Sequence, residues 1–238
     1  LAVDENPYVR VCLAANPSIA QDLVALLITD KREDVRYAAA INPSISAEDL
    51  EVLATDKEKG IRCCAAGNAA ASVGLLVRLA KDSEFDVRER AKRKLGDRRD
   101  LSESELAVML EDKDLRYTVA ASPHIPALLM RQIAADADPW VRFWLATNPG
   151  ASAEILALLV DDQDVNVREK ALAHRNAPLK ALERAAEDKN SRFRRAVAVN
   201  PSAPIHLLEG LAADPDADVR ACLRWNPCLP LRIVDRIT

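Results

Sequence analysis

The sequence is poor in glycine, in aromatic residues and in histidine. Six glycines in 238 residues leave no glycine-rich loop to cradle a phosphate and no Gly-x-Ser-x-Gly elbow for a serine nucleophile. Aromatic residues make up 4% of a chain that is 49% hydrophobic, so its core is expected to be built from Ala, Leu, Val and Ile. No apolar run approaches the ~18 residues of a membrane span, and no signal peptide is visible. His124, His174 and His206 show no ligand spacing. Five cysteines, an odd number without paired spacing, exclude a disulfide framework and suit a reducing compartment, so a cytoplasmic location is expected. The net charge of −4 gives no global pull toward nucleic acid or an anionic membrane.

What is abundant is repetition. Taking the first apolar residue of each repeat as position 1, repeats start at Leu1, Leu27, Leu53, Leu79, Leu110, Ile133, Leu159, Ala185 and Leu211. Successive starts are 26 residues apart except around the fourth repeat, 79–109, which is longer, and the fifth, which is shorter. The repeats cover residues 1–238, read as a single repeat domain. Leu1 is not an initiator Met and falls inside a repeat, so a further segment is expected ahead of it.

With the shortened fifth repeat aligned on its Arg, position 10 is always Arg: Arg10, Arg36, Arg62, Arg88, Arg116, Arg142, Arg168, Arg194 and Arg220. Position 9 is always large and apolar. An Asp stands six residues before the Arg in eight repeats, as Asp4, Asp30, Asp56, Asp82, Asp136, Asp162, Asp188 and Asp214; in the fifth repeat Asp112 is only four residues before Arg116. A feature present in every repeat belongs to scaffold more naturally than to a binding site. The Arg head, planar and rich in donors, suits a junction between neighbours, where it meets Asp carboxylates or backbone carbonyls.

Each repeat reads as two short helices. The first covers about positions 7–15, with Asn6, Asp138, Asp164 and Asp216 as N-caps and Pro7 and Pro139 at N1. Positions 9 and 13, such as Val141 and Leu145, share a buried face. The recurring Asn-Pro-Ser is punctuation: Asn16 in a left-handed C′ conformation, a Pro that ends the helix, and Ser18, Ser44 or Ser202 to cap the second helix. That second segment, about positions 20–26, is short enough to be α-helical or partly 3₁₀. One repeat cannot bury its apolar stripe but stacked repeats can, which predicts an all-α solenoid of nine two-helix repeats wound as a curved superhelix.

The phrases "LAADADPWVRFWLATNPGASAEILALL" and "LAADPDADVRACLRWNPCLP" resemble the leucine-rich repeat variant family. HEAT repeats share the Asp–Arg spacing, but at ~40–47 residues they are longer. The resemblance implies a right-handed superhelix of alternating α and 3₁₀ helices and a role in binding or scaffolding, with no common catalysis. A member of the family carries a cysteine-rich iron–sulfur module ahead of its repeats. The resemblance therefore also implies an alternative, an accessory protein whose iron–sulfur cluster lies upstream of Leu1. No cofactor is expected in residues 1–238: Cys63 and Cys64 point about 100° apart on a helix, and Cys12 and Cys64, two repeats apart, stand roughly 20 Å from each other. Small buried side chains are the expected role of the cysteines.

No catalytic site is expected. Against the fixed framework, positions 11 and 12 vary freely, and they include Tyr37, Tyr117, Phe143 and Trp144. With Trp140 one turn before Trp144, the sixth repeat holds three of the nine aromatic residues. These five are the candidate binding residues for a protein partner. The sixth-repeat cluster reads equally as an exposed anchor and as core filler. Repeat four carries seven basic and two acidic residues between Arg88 and Arg99. They read as a solvated face in preference to a phosphate or nucleic-acid patch, because no aromatics interleave them. A nucleic-acid-binding solenoid is the third reading. Ile233, Val234 and Ile237 are expected to be partly uncovered at the C-terminal end.

Overall fold

A computed structural model describes residues 1–230 of the chain. Among them every regular element is helical: α1 (Pro7–Ala14), α2 (Gln21–Leu27), α3 (Glu33–Ile41), α4 (Ala47–Leu53), α5 (Lys59–Gly67), α6 (Val73–Leu79), α7 (Phe85–Gly96), α8 (Glu103–Glu111), α9 (Arg116–Ala121), α10 (Ala127–Ala134), α11 (Pro139–Thr147), α12 (Ala153–Leu159), α13 (Val165–Ala173), α14 (Leu179–Ala186), α15 (Ser191–Val199), α16 (Ile205–Leu211), α17 (Ala217–Cys222) and a closing 3₁₀ turn, Leu223–Trp225. Odd-numbered helices are the first of each repeat and even-numbered helices the second. The helices group into two compact units, Leu1–Thr118 and Val119 onward, where the repeat pattern alone reads one domain. Ile233, Val234 and Ile237 lie outside the described residues.

Within each unit the first helices pack side by side, α1 on α3, α3 on α5 and α5 on α7 in one, α11 on α13, α13 on α15 and α15 on α17 in the other. Short second helices pack behind them. This is an α-solenoid arrangement: each repeat buries its stripe on the next. Position 9 fills the seam, with Val35, Val87 and Val167 wholly buried. Val9 of the first repeat is half-exposed. The second segments resolve as α-helices of seven to nine residues, and the one 3₁₀ helix among the described residues is the turn at Leu223. Their N-caps are position-20 residues, Ser46, Ser72 and Ser152, with Ser102 and Glu105 forming a capping box before α8. Ser18, Ser44 and Ser202 do not cap: their backbone N–H groups donate to the preceding Asn side chain.

That corrects the role read for Asn-Pro-Ser. No described non-glycine residue has a positive φ, and Asn42 and Asn200 are extended, at φ −65° and −66°. The Asn works through its side chain. Asn42 Nδ2 donates to the carbonyls of Ala14 (2.7 Å) and Asn16 (3.0 Å) in the preceding repeat, while its Oδ1 accepts from Ser44 N–H (2.8 Å). Asn68, Asn148, Asn200 and Asn226 repeat both donations. Helix C-termini leave carbonyls without intrahelical donors, and here the next repeat supplies them. The following Pro has no N–H to offer, so the phrase is a junction between neighbours as well as a stop.

His174 stands in this ladder where six of the other repeats have Asn. One ring nitrogen, Nε2, meets the Asn148 carbonyl at 3.0 Å, and Nδ1 accepts from Asn176 N–H. Burial holds the ring's pKa below the ordinary histidine value, against the pull of the Asn148 carbonyl, and Arg175 lowers it further. The unfolded chain therefore takes up a proton first, near pH 6.5. Stability is present above that pH and is lost as pH falls toward the lowered folded value. His174→Asn is expected to flatten this slope between pH 7 and 5. At pH 7 it should keep or gain stability, by about 1 kcal/mol for the extra donation, as read by urea titration at each pH.

The Arg–Asp pattern forms a second ladder. Arg10 Nη1 donates to the carbonyl of Asp4 in its own repeat. Its Nε and Nη2 then fork onto the Asp30 carboxylate of the next, at 2.6 and 3.2 Å. Arg36–Asp56, Arg62–Asp82, Arg142–Asp162 and Arg194–Asp214 are built alike. Each Asp also accepts from the backbone N–H two residues on, as Asp162 does from Asp164. The six-residue spacing thus marks the carbonyl contact within a repeat, and the carboxylate contact spans 20 residues. Asp136 and Asp188 give their carbonyls to Arg142 and Arg194 in the same manner. Asp112, displaced in the shortened repeat, pairs with Lys81, and Arg88 and Arg220 bond the carbonyls of Asp82 and Asp214.

Candidate functional site

With both ladders consumed by the scaffold, the open side of the first helices in each unit is where the repeats differ. Positions 7, 8, 11, 12 and 15 lie on one face of a 3.6-residue helix. Eight of the nine Phe, Trp and Tyr residues occupy those positions: Tyr8, Tyr37, Phe85, Tyr117, Trp140, Phe143, Trp144 and Trp225. The ninth, Phe193, is at position 9 and buried. In a chain this short of aromatics, nearly all of them are spent on the surface.

In the unit from Val119 onward, α11 presents the densest group. Asp138 caps it by accepting from Trp140 N–H at 2.9 Å, and Pro139 sets its first turn. The rings interlock edge to face: Trp140 and Phe143 centroids are 5.4 Å apart, Phe143 and Trp144 6.0 Å. Lys170 of α13 lies 5.7 Å over Phe143, which holds the middle ring while Trp140 and Trp144 stay 63% and 41% exposed. Of the two roles left open for this cluster, the exposure of Trp140 and Trp144 speaks against core filler. Its neighbour in the core is Leu145, fully buried one residue along. Trp225, 81% exposed, ends the stripe.

In the unit Leu1–Thr118, Tyr37 stands in a groove of about 580 Å³ floored by Val11, Ala38, Ile41 and Ile61 and edged by Glu33 and Glu58. Its hydroxyl pairs with Cys64, which holds the phenol's pKa above the ordinary value; burial does the same to the Cys64 thiol. Tyr117 is half-buried, with the Lys92 ammonium 5.4 Å over its ring. Tyr8 and Phe85 are 78% and 65% exposed. Tyr8, Phe85 and Trp225 belong to the surface although positions 11 and 12 alone do not find them. The signal was the helical frame, since positions 7, 8 and 15 share the face.

The basic segment of repeat four is largely absorbed by the scaffold. Arg88 bonds the carbonyls of Asp82 and Ser83, and Arg98 bonds the Ala71 carbonyl and Asp100. Arg90 lies over Gly67, where a side-chain carbon would meet its guanidinium at 2.6 Å. Cys12 and Cys228 are exposed and the other three cysteines half-buried, so the set is less buried than its composition predicts. Among the described residues no three His, Cys, Asp or Glu side chains gather as a metal ion requires, and no helix is long and apolar enough to cross a membrane.

The fold and the surface together define a helical repeat protein. Comparison with solved structures matches one described as a leucine-rich repeat variant with a novel repetitive protein structural motif, at 24% identity and a TM-score of 0.53, over 83% of this chain and 88% of that one. The chain has the leucine-rich repeat variant fold. No protein-family model and no curated protein matches the sequence.

Proposed function

We propose that this chain is a non-catalytic interaction scaffold whose protein partners dock on the aromatic faces that the first helices present within each unit. One observation carries the reading: eight of nine aromatic side chains sit on those faces, six of them between 41% and 81% exposed. Rigid aromatic side chains are what protein interfaces use as anchors. The framework beneath is fixed by the two ladders, so the faces can vary without cost to the fold.

The test is capture of native partners by the full chain against a Tyr37→Ala/Trp140→Ala/Trp144→Ala variant. Loss of a single hot-spot anchor weakens binding by about 2 kcal/mol, roughly 30-fold, so the triple variant should recover none of the specific partners while keeping the helical signal and unfolding midpoint. Undiminished recovery of every native partner by the folded variant would sink the proposal.

A further inference from the structure

We propose that the cleft beside Arg168 is a carboxylate-binding site, separate from the aromatic face. The argument starts from the Arg–Asp ladder. In the unit from Val119 onward, Arg142 and Arg194 each close a two-pronged contact on the Asp 20 residues ahead, at 2.6 and 2.8 Å and at 2.7 and 3.0 Å. Arg168 does not. Its Nη1 makes the usual contacts, to the carbonyls of Asp162 and Gln163. Asp188, the residue 20 positions on, keeps only the backbone contact of the other rungs, its carboxylate accepting from Asn190 N–H at 2.8 Å.

One residue sets this rung apart. Position 9 is Val, Ile or Leu in eight repeats and Phe193 in the eighth. The Arg168 guanidinium carbon lies 4.9 Å from the Phe193 ring centroid, a cation–π stack that competes with the Asp188 carboxylate for the guanidinium. What opens is a cleft of about 330 Å³ bounded by Arg168, Phe193, Leu172, Arg184 and Asp188, within the size range of small-ligand sites.

The other rungs show what such a fork takes: a carboxylate, bidentate, with two parallel N–H donors. Arg184 at the cleft is already paired with Asp161, so with Arg168 and Asp188 the lining carries no net charge. A carboxylate then adds a single negative charge, where a phosphate dianion would add two. Phe193 and Leu172 offer apolar wall to whatever carries the carboxylate. The ligand class is a carboxylate on an apolar body, supplied either by a free small acid or by an acidic side chain of a protein.

The experiment tracks the Arg Nε–H resonances by ¹⁵N NMR while the full chain is titrated with benzoate and, separately, with the blocked peptide acetyl-Ala-Phe-Asp-Ala-amide. A saturable shift at Arg168, with Arg142 and Arg194 unmoved, is the expected result. Saturation by benzoate alone identifies a small acid as the source, and saturation by the peptide alone identifies a protein side chain. Phe193→Val restores the apolar residue of the other repeats, lets Asp188 close the rung, and should cut binding at least tenfold. Asp188→Asn removes the internal competitor and should not weaken it. The proposal is overturned if neither probe saturates Arg168 at tens of millimolar or if inorganic phosphate shifts it as strongly. It also fails if Phe193→Val binds as wild type does.

Discussion

Asp162→Ala is expected to cost about 3–5 kcal/mol, the usual loss when one partner of a buried ion pair is removed. The carboxylate and the Arg142 side chain are 6% and 14% exposed, so solvent does little to replace either. The substitution strips Arg142 of two charged acceptors and Asp164 N–H of its partner. Replacing the pair together, Arg142→Met with Asp162→Leu, should recover most of the loss, because no charge is then left buried alone. Urea unfolding of the three chains checks both statements. The same experiment has a pH signature. Burial by itself would raise the Asp162 carboxyl, but hydrogen bonds from Arg142 and the Asp164 N–H, with the Arg142 charge, overrule it and hold the carboxyl below its ordinary value. A lowered carboxylate stabilises fully above its unfolded pKa, near 3.9, and that stabilisation is lost as pH falls through the folded value. Below about pH 4 the gap between wild type and Asp162→Ala should therefore narrow.

Asn200→Ala is expected to cost about 2–4 kcal/mol, since one wholly buried side chain serves three backbone groups. Its Nδ2 reaches Leu172 and His174 carbonyls at 2.7 and 2.8 Å, and its Oδ1 receives Ser202 N–H at 2.7 Å. Asn200→Asp sharpens the test. It is nearly the same shape and keeps the Ser202 contact, yet turns an acceptor toward two carbonyl oxygens in a buried site. At pH 7 it should be less stable than Asn200→Ala. If Asp is tolerated there as well as Asn, the side chain is not donating across the junction.

The architecture was legible because its determinants recur. Arg at position 10, an apolar residue at position 9 and Asn-Pro after the first helix appear at fixed spacing, and the helix caps Asn6, Asp138, Asp164 and Asp216 follow from residue type alone. What the spacing could not show was contact between neighbours. Arg10 reaches Asp30 and Asn42 reaches Ala14 across distances that depend on how repeats stack, so Asn42 looked like a backbone device and proved to be a side-chain donor. Exposure was hidden for a similar reason. Trp144 and Leu145 are adjacent in sequence, and only the layer packed against α11 decides which of them meets water. The opening at Arg168 accompanies a departure from pattern, Phe193, whose ring stacks on the repeat before it.

Trp144 and Leu145 also provide the most direct measurement of the central claim, that the aromatic face is surface laid over an aliphatic scaffold. Denaturation midpoints of Trp144→Ala and Leu145→Ala would be compared with wild type in one urea series. Leu145, with no exposed surface, should cost about 2–5 kcal/mol as a buried leucine does. Trp144, 41% exposed, should cost less than about 1 kcal/mol, in keeping with a surface position. Equal large losses at both sites would place the tryptophan in the core and contradict the account.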